Sequence, residues 1–137
     1  MRSGVDKTDI VLVYCAIIRS VLEYACQVWH CGLTKTQACE VENVQSRCLR
    51  IIYPALSYAD ALSVTGLDRL DDRRERMVHE LFNEVKGPGH ALNKLLSVYA
   101  ADPHKPVTRD TYPYKMPTAR TARLGRSFIA YCINKRM

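Results

Sequence analysis

What this chain of 137 residues lacks narrows its function before anything it contains does. It has six cysteines but no Cys-x-x-Cys pair, and the nearest cluster, Cys26, His30, Cys31 and Cys39, does not have the paired-ligand spacing of structural zinc sites. Buried reduced thiols are the better reading for Cys15, Cys26 and Cys48, which fall on apolar helix faces. Glycine is scarce, and its one cluster, Gly87-Pro88-Gly89, has proline where a phosphate-cradling loop needs backbone donors. No apolar run is long enough to span a bilayer, because the stretch from Ile10 to Trp29 is interrupted by Arg19, Glu23 and Gln27. The first residues, Met1-Arg2-Ser3-Gly4-Val5-Asp6-Lys7, lack the basic-then-apolar pattern of a signal peptide, so an intracellular chain is expected, nuclear or cytoplasmic. There is no internal repeat and no low-complexity tract.

What is present is helical periodicity. Ile10, Tyr14, Ile17, Val21, Tyr24, Ala25 and Val28 recur every three or four residues and predict a long first helix over 8–28, capped by Asp6 or Thr8 and closed by Gly32. Thr34-Lys35-Thr36-Gln37 is a Thr-x-x-Gln capping box opening a second helix, 36–52, with Ala38, Val41, Val44, Cys48, Leu49 and Ile52 facing inward and Pro54 beyond its end. A third, 58–65, starts at Ser57 and ends at Gly66, placed where a left-handed residue is wanted. A fourth, 69–86, turns Leu70, Met77, Val78, Leu81, Phe82 and Val85 inward and carries a charged outer face. The Lys86-Gly87-Pro88-Gly89 break and a short fifth helix, 90–98, follow. Tyr14, Ile17, Val21, Val44, Leu49, Leu81 and Phe82 are expected to share the core. After Asp102, Pro103, Pro106, Pro113 and Pro117 interrupt any period, predicting an extended arm and then a short helix or strand through Phe128, Ile129, Tyr131 and Ile133. The fold class is mostly α: a small bundle of about five helices over 1–102, then a basic, proline-containing arm over 103–137.

Several separated motifs stand in an order that is more specific than any one of them. They are Val21-Leu22-Glu23-Tyr24-Ala25-Cys26-Gln27-Val28-Trp29-His30 with Gly32-Leu33-Thr34-Lys35, Arg47-Cys48-Leu49-Arg50-Ile51-Ile52-Tyr53-Pro54, Ser57-Tyr58-Ala59-Asp60-Ala61-Leu62, and Gly66-Leu67. The Arg73-Arg74-Glu75-Arg76 helix, Arg120-Thr121-Ala122-Arg123 and Phe128-Ile129-Ala130-Tyr131-Cys132 complete the set. In that order they resemble the region just downstream of the catalytic core in non-LTR, LINE-type retrotransposon reverse transcriptases, over almost the whole chain. The resemblance implies a helical thumb and C-terminal extension that grips the template-primer duplex through its backbone, with Arg47, Arg50, Arg73, Arg74 and Arg76 in matching segments. It also implies that the metal-binding carboxylates of polymerisation belong to an upstream palm with no counterpart here. Tyr58-Ala59-Asp60 imitates the start of the family's metal-binding tetrapeptide, but Ala61 stands where the second aspartate would be, and Ser57 with Asp60 reads better as a helix cap. No enzyme, metal or cofactor is expected, nor a small-molecule substrate or a membrane.

The net charge of +6 is a property of the C-terminal arm. From Pro103 onward eight Lys or Arg face a single acid, Asp110, while the preceding 102 residues are close to neutral. In that arm Arg109, Tyr112, Tyr114, Lys115, Arg120, Arg123 and Arg126 interleave cations with aromatic faces, a pattern suited to releasing counterions from phosphates and stacking on unpaired bases. These residues point to sequence-independent binding of RNA, DNA or an RNA–DNA hybrid. The other readings are a helical protein-interaction domain without nucleic-acid binding and, more weakly, a zinc-stabilised module.

Overall fold

The computed structural model describes residues 4–97, 100, 113–115, 118 and 120–137. Among these the chain is mostly helical and has no strand, only an isolated antiparallel bridge between Ala100 and Tyr114. Its elements are α1 (Lys7–Val13), a π-helical turn (Tyr14–Arg19), α2 (Ser20–Glu23), α3 (Cys26–Trp29), a 3-10 turn (His30–Gly32), α4 (Lys35–Ile52), α5 (Tyr58–Thr65), α6 (Leu70–Val85), α7 (Asn93–Ser97), α8 (Ala122–Gly125) and α9 (Phe128–Asn134). Contacts group them into two compact units: Met1–Cys26 with Leu33–Glu75, and Gln27–Gly32 with Arg76–Met137. The grouping cuts α6 between Glu75 and Arg76, a different partition from the charge boundary at residue 102.

In the first unit the helix N-terminus is capped by Asp6, whose carboxylate accepts from the Thr8 N–H at 3.4 Å. The apolar face expected from a 3.6-residue period is not the buried one. Tyr14 is 3% exposed, but Ile17 is 62%, Val21 72% and Tyr24 80% exposed. The cause is the π-helical turn, which holds more residues per turn than an α-helix and so shifts the phase of everything after it. Tyr14 and Arg19, five apart, share the inner face, and Glu23 and Cys26 continue it. The helix then stops at Tyr24, well before Gly32, where ψ turns to 123° and Ala25 takes a left-handed φ of 49°.

The capping box of α4 forms as its sequence dictates: Thr34 Oγ1 accepts from the Gln37 N–H and the Gln37 side chain accepts from the Thr34 N–H. Its buried line is Glu42, Gln45, Leu49 and Ile52. Val44, expected inside, is 37% exposed, while Ala38, Val41 and Cys48 are half-buried. The face is rotated because Glu42 and Gln45 have polar partners waiting in the interior. Helix α5 has the bounds read from its caps: Ser57 Oγ accepts from the Asp60 N–H at 3.2 Å, and Gly66 closes it at φ 65°. A left-handed residue there costs glycine nothing.

The second unit is built on the C-terminal half of α6. Val78, Phe82, Val85, Cys132 and Ile133 are fully buried, Cys31 and Leu96 nearly so, and half-buried Leu81 packs against them. Asn93, at the start of α7, donates through Nδ2 to the carbonyls of Val85 and Lys86 at 3.0 and 3.1 Å, satisfying two acceptors at the end of α6. Residues ahead of Asn93 are spent on these turns, which is why α7 begins later than the 90–98 reading; Val98 lies outside the described residues. The terminal segment is a helix, α9, with Ala130, Cys132 and Ile133 buried. Most of the arm expected to be extended, including 101–112, lies outside the described residues. None of the six cysteines is in a disulfide: Cys26, Cys31 and Cys132 are buried, Cys15 and Cys48 half-buried, Cys39 exposed.

Candidate nucleic-acid interface

The charge of the chain is divided unequally between the two units. The first unit has nine Lys or Arg against ten acids, a net charge of about −1, whereas the second has eleven against four, a net charge of about +7. Within the second unit, Thr121 sets the local geometry of the cations. Its hydroxyl accepts from the Leu124 N–H at 3.3 Å, starting α8 one residue later. That single turn carries Arg123, with Arg120 just before it and Arg126 at its C-terminal cap. All three guanidinium side chains are exposed, as is Lys115. Arg136 is exposed too, at a left-handed φ of 55° near the end of α9.

Not every cation of this unit is available to a ligand. Lys86 donates to Asn83 Oδ1 at 3.1 Å and to the Met137 carbonyl at 3.0 Å, and lies 4.8 Å from the centre of the Phe82 ring. Lys135 sits 5.0 Å from the Tyr131 ring centre. Tyr114, a candidate stacking residue by sequence, is half-buried against the core, edge-on to Phe82 at 6.3 Å between ring centres. Tyr114 is therefore engaged in packing on the core. Arg109 and Tyr112 lie outside the described residues. The structure thus brings Arg120, Arg123 and Arg126 together and separates Tyr114 from them in role.

In the first unit the arginines of the matching segments divide by burial. Arg47 and Arg50 are exposed on α4. Arg73 is not a spare cation: its Nε forms an ion pair with Glu23 Oε1 at 2.6 Å, and the same oxygen accepts a hydrogen bond from Arg19 Nε at 3.2 Å. Burial works against the Arg19 charge, but its bond to Glu23 raises its pKa above the ordinary value. Arg74 is fully buried, with Nη2 3.5 Å from Asp71 Oδ1. Buried as it is, Arg74 is not placed to meet a phosphate.

The sequence reading missed a polar network in this unit. Tyr14 Oη donates to Gln45 Oε1 at 2.7 Å, and Gln45 Nε2 donates to Tyr58 Oη and to the Asp68 carbonyl, each at 3.0 Å. Tyr58 in turn donates to Glu42 Oε1, and the other oxygen of Glu42 accepts from the Asp71 N–H at 3.2 Å. Glu42 is thus a carboxylate supplied by α4 to the first turn of α6, where backbone donors are unmet and the helix dipole favours negative charge. Burial and the bond to Glu42 push the Tyr58 hydroxyl up to about 12, and burial moves the Tyr14 hydroxyl upward as well. The available signal was the three-and-four spacing that puts Glu42 and Gln45 in line with Leu49 and Ile52 on α4. A cavity of about 350 Å³ opens beside this network, with Lys35, Cys39, Asn43 and Arg69 on its walls. Its signs are mixed, and its inner carboxylate, Glu42, already has its partners.

Among the described residues no three His, Cys, Asp or Glu side chains gather as a metal site, and no described helix is long and apolar enough to cross a membrane. Comparison of the chain with protein-family models, with curated proteins and with solved structures finds no match in any of the three.

Proposed function

We propose that this chain is a non-catalytic helical domain that holds RNA, DNA or an RNA–DNA hybrid by its backbone without reading sequence, in the manner of the reverse-transcriptase thumb region it resembles. The observation that carries this reading is the concentration of positive charge in the second unit, with Arg120, Arg123 and Arg126 exposed around one capped turn. Lys and Arg bound to phosphates release condensed counterions, and contacts of this kind position a protein on nucleic acid without conveying base identity. The non-catalytic part of the reading is supported by Asp60, the one carboxylate of the polymerase-like tripeptide. It lies 2.6 Å from Ser57 Oγ in the cap of α5, a structural task that accounts for its position.

The test is a salt titration of binding to short RNA–DNA hybrid, single-stranded RNA and duplex DNA. Log affinity should fall linearly with log salt, and ligand sequence should matter little. Replacing Arg120, Arg123 and Arg126 together with Ala should weaken all ligands and flatten the slope by roughly two to three, about one per lost phosphate contact. Undetectable binding at low salt, or binding unchanged in the triple variant, would instead favour a protein-interaction domain.

A further inference from the structure

The π-helical turn leaves the first helix with its apolar residues outside. Ile10, Leu12, Val13, Ile17, Ile18 and Val21 are 38–72% exposed, and Tyr24 at the end of the row is 80% exposed. Val13, Ile17 and Val21 follow one another every four residues, opposite the buried line of Tyr14, Arg19 and Glu23. From Ile10 to Ala25 only Arg19 and Glu23 are charged, and they are paired with each other and buried. The outer face of this stretch therefore has no charge at all.

Size decides what such a face is for. At these exposures the seven side chains leave roughly 800 Å² in water, more than the roughly 300–600 Å² of the largest apolar patch on a typical monomer. It also equals about one partner's share, ~800 Å², of a standard protein interface. Isolated exposed apolar residues need no explanation; a continuous helical row of this area does.

We propose that this face is the interface of a symmetric dimer, in which the row from Ile10 to Tyr24 packs against the same row of a second copy. A two-fold contact sets a surface against itself, so any charge within it meets its own sign. This face is free of that penalty along its whole length. A row repeating every three to four residues also supplies the ridge that helix-on-helix packing requires. With Ile17 near the middle of the row, an antiparallel crossing puts Ile17 close to its own copy and the Lys7–Asp9 end beside the partner's Tyr24. The area, the missing charge and the helical spacing together commit the face to a second copy.

Sedimentation velocity of the nuclease-treated, full 137-residue chain is the test. In about 0.5 M salt, where exposed charges are screened, the mass should rise reversibly from one copy to two between about 1 and 200 µM. Ile17→Glu and Val21→Asp should each weaken dimerisation at least about tenfold, with the helical circular dichroism spectrum retained because neither side chain is in the core. The triple Arg120, Arg123, Arg126 variant should dimerise like the unaltered chain, which separates this proposal from the nucleic-acid reading. A monomer throughout the range, a dimer indifferent to both substitutions, open-ended aggregation, or a monomer that co-sediments with neutral phosphatidylcholine vesicles would each overturn it.

Discussion

The two units of this protein solve the same problem with different chemistry. In the first, five of the eleven described buried residues are polar or charged: Arg19, Glu23, Glu42, Gln45 and Arg74. In the second only His30 is, among nine. The first is held by groups that must be satisfied individually, since a buried donor or acceptor that loses its partner carries its whole desolvation cost. The second is held by apolar contact, which is non-directional, and so its surface is free to carry positive charge. A polar interior specifies which face of a helix turns inward; an apolar one tolerates a surface shaped by other demands.

The sharpest test of the apolar side is Phe82→Ala. Phe82 is fully buried and meets Tyr114 and Phe128 edge-on, so its loss should cost about 3–5 kcal/mol in denaturant unfolding. Leu81→Ala, at a half-buried position, should cost clearly less; equal costs would mean the core does not centre on Phe82. On the polar side, Glu42→Ala should destabilise by about 1–3 kcal/mol, because the Tyr58 hydroxyl and the Asp71 N–H lose their acceptor together. Glu42→Gln keeps an acceptor oxygen and should recover part of that loss. An Ala variant as stable as the parent would show that the network does not hold the first unit together.

Alkali should discriminate the units more gently. The Tyr58 hydroxyl is raised from 10 to about 12 in the folded chain, so the folded state keeps a proton that the unfolded state gives up. Stability from this source is whole below about pH 10 and declines as pH rises from 10 through about 12. Tyr58→Phe should remove that part of the decline in melts recorded across this range; an unchanged decline would assign it to other groups. The smallest effect is expected from deleting Ala16. Tyr14 and Arg19 would then stand four apart, the spacing an ordinary α-helix brings to one face, and the deletion should be tolerated with the π-helical turn lost. Inserting an alanine beside Ala16 should be tolerated less well. If the two changes cost the same in thermal melts, the turn does not set the phase of the helix.

Much of the helical outline was legible because its signals are local. The Thr34–Gln37 box, the Ser57 cap and Gly66 each act within a few residues, and α4, α5 and α6 run close to the ranges read from them. The choice of buried face was less legible. Ile17, Val21 and Val44 look like core residues by period alone, yet Arg19, Glu23, Glu42 and Gln45 took the interior. Of the candidate interface, Arg120, Arg123 and Arg126 could be picked out by charge and are exposed around Thr121, whereas Tyr114 could not be known to pack on Phe82. Charge is a property of residue type, while burial depends on a neighbour distant in sequence.

Composition and short-range pattern were enough to establish a helical chain, its main stops and starts, and the accumulation of cations toward its C-terminal part. These follow from backbone donors that need caps, from the freedom of Gly66 and from the count of ionisable groups, none of which needs a distant partner. Only the folded chain could decide that Tyr14 is followed on the inner face by Arg19 rather than by Ile17 and Val21. That choice rests on Gln45 reaching Tyr14 from 31 residues away and on Arg73 reaching Glu23 from the start of α6. Ion pairs and hydrogen bonds of that reach are invisible to periodicity, and a one-residue change of phase is enough to turn an expected core into an exposed apolar face.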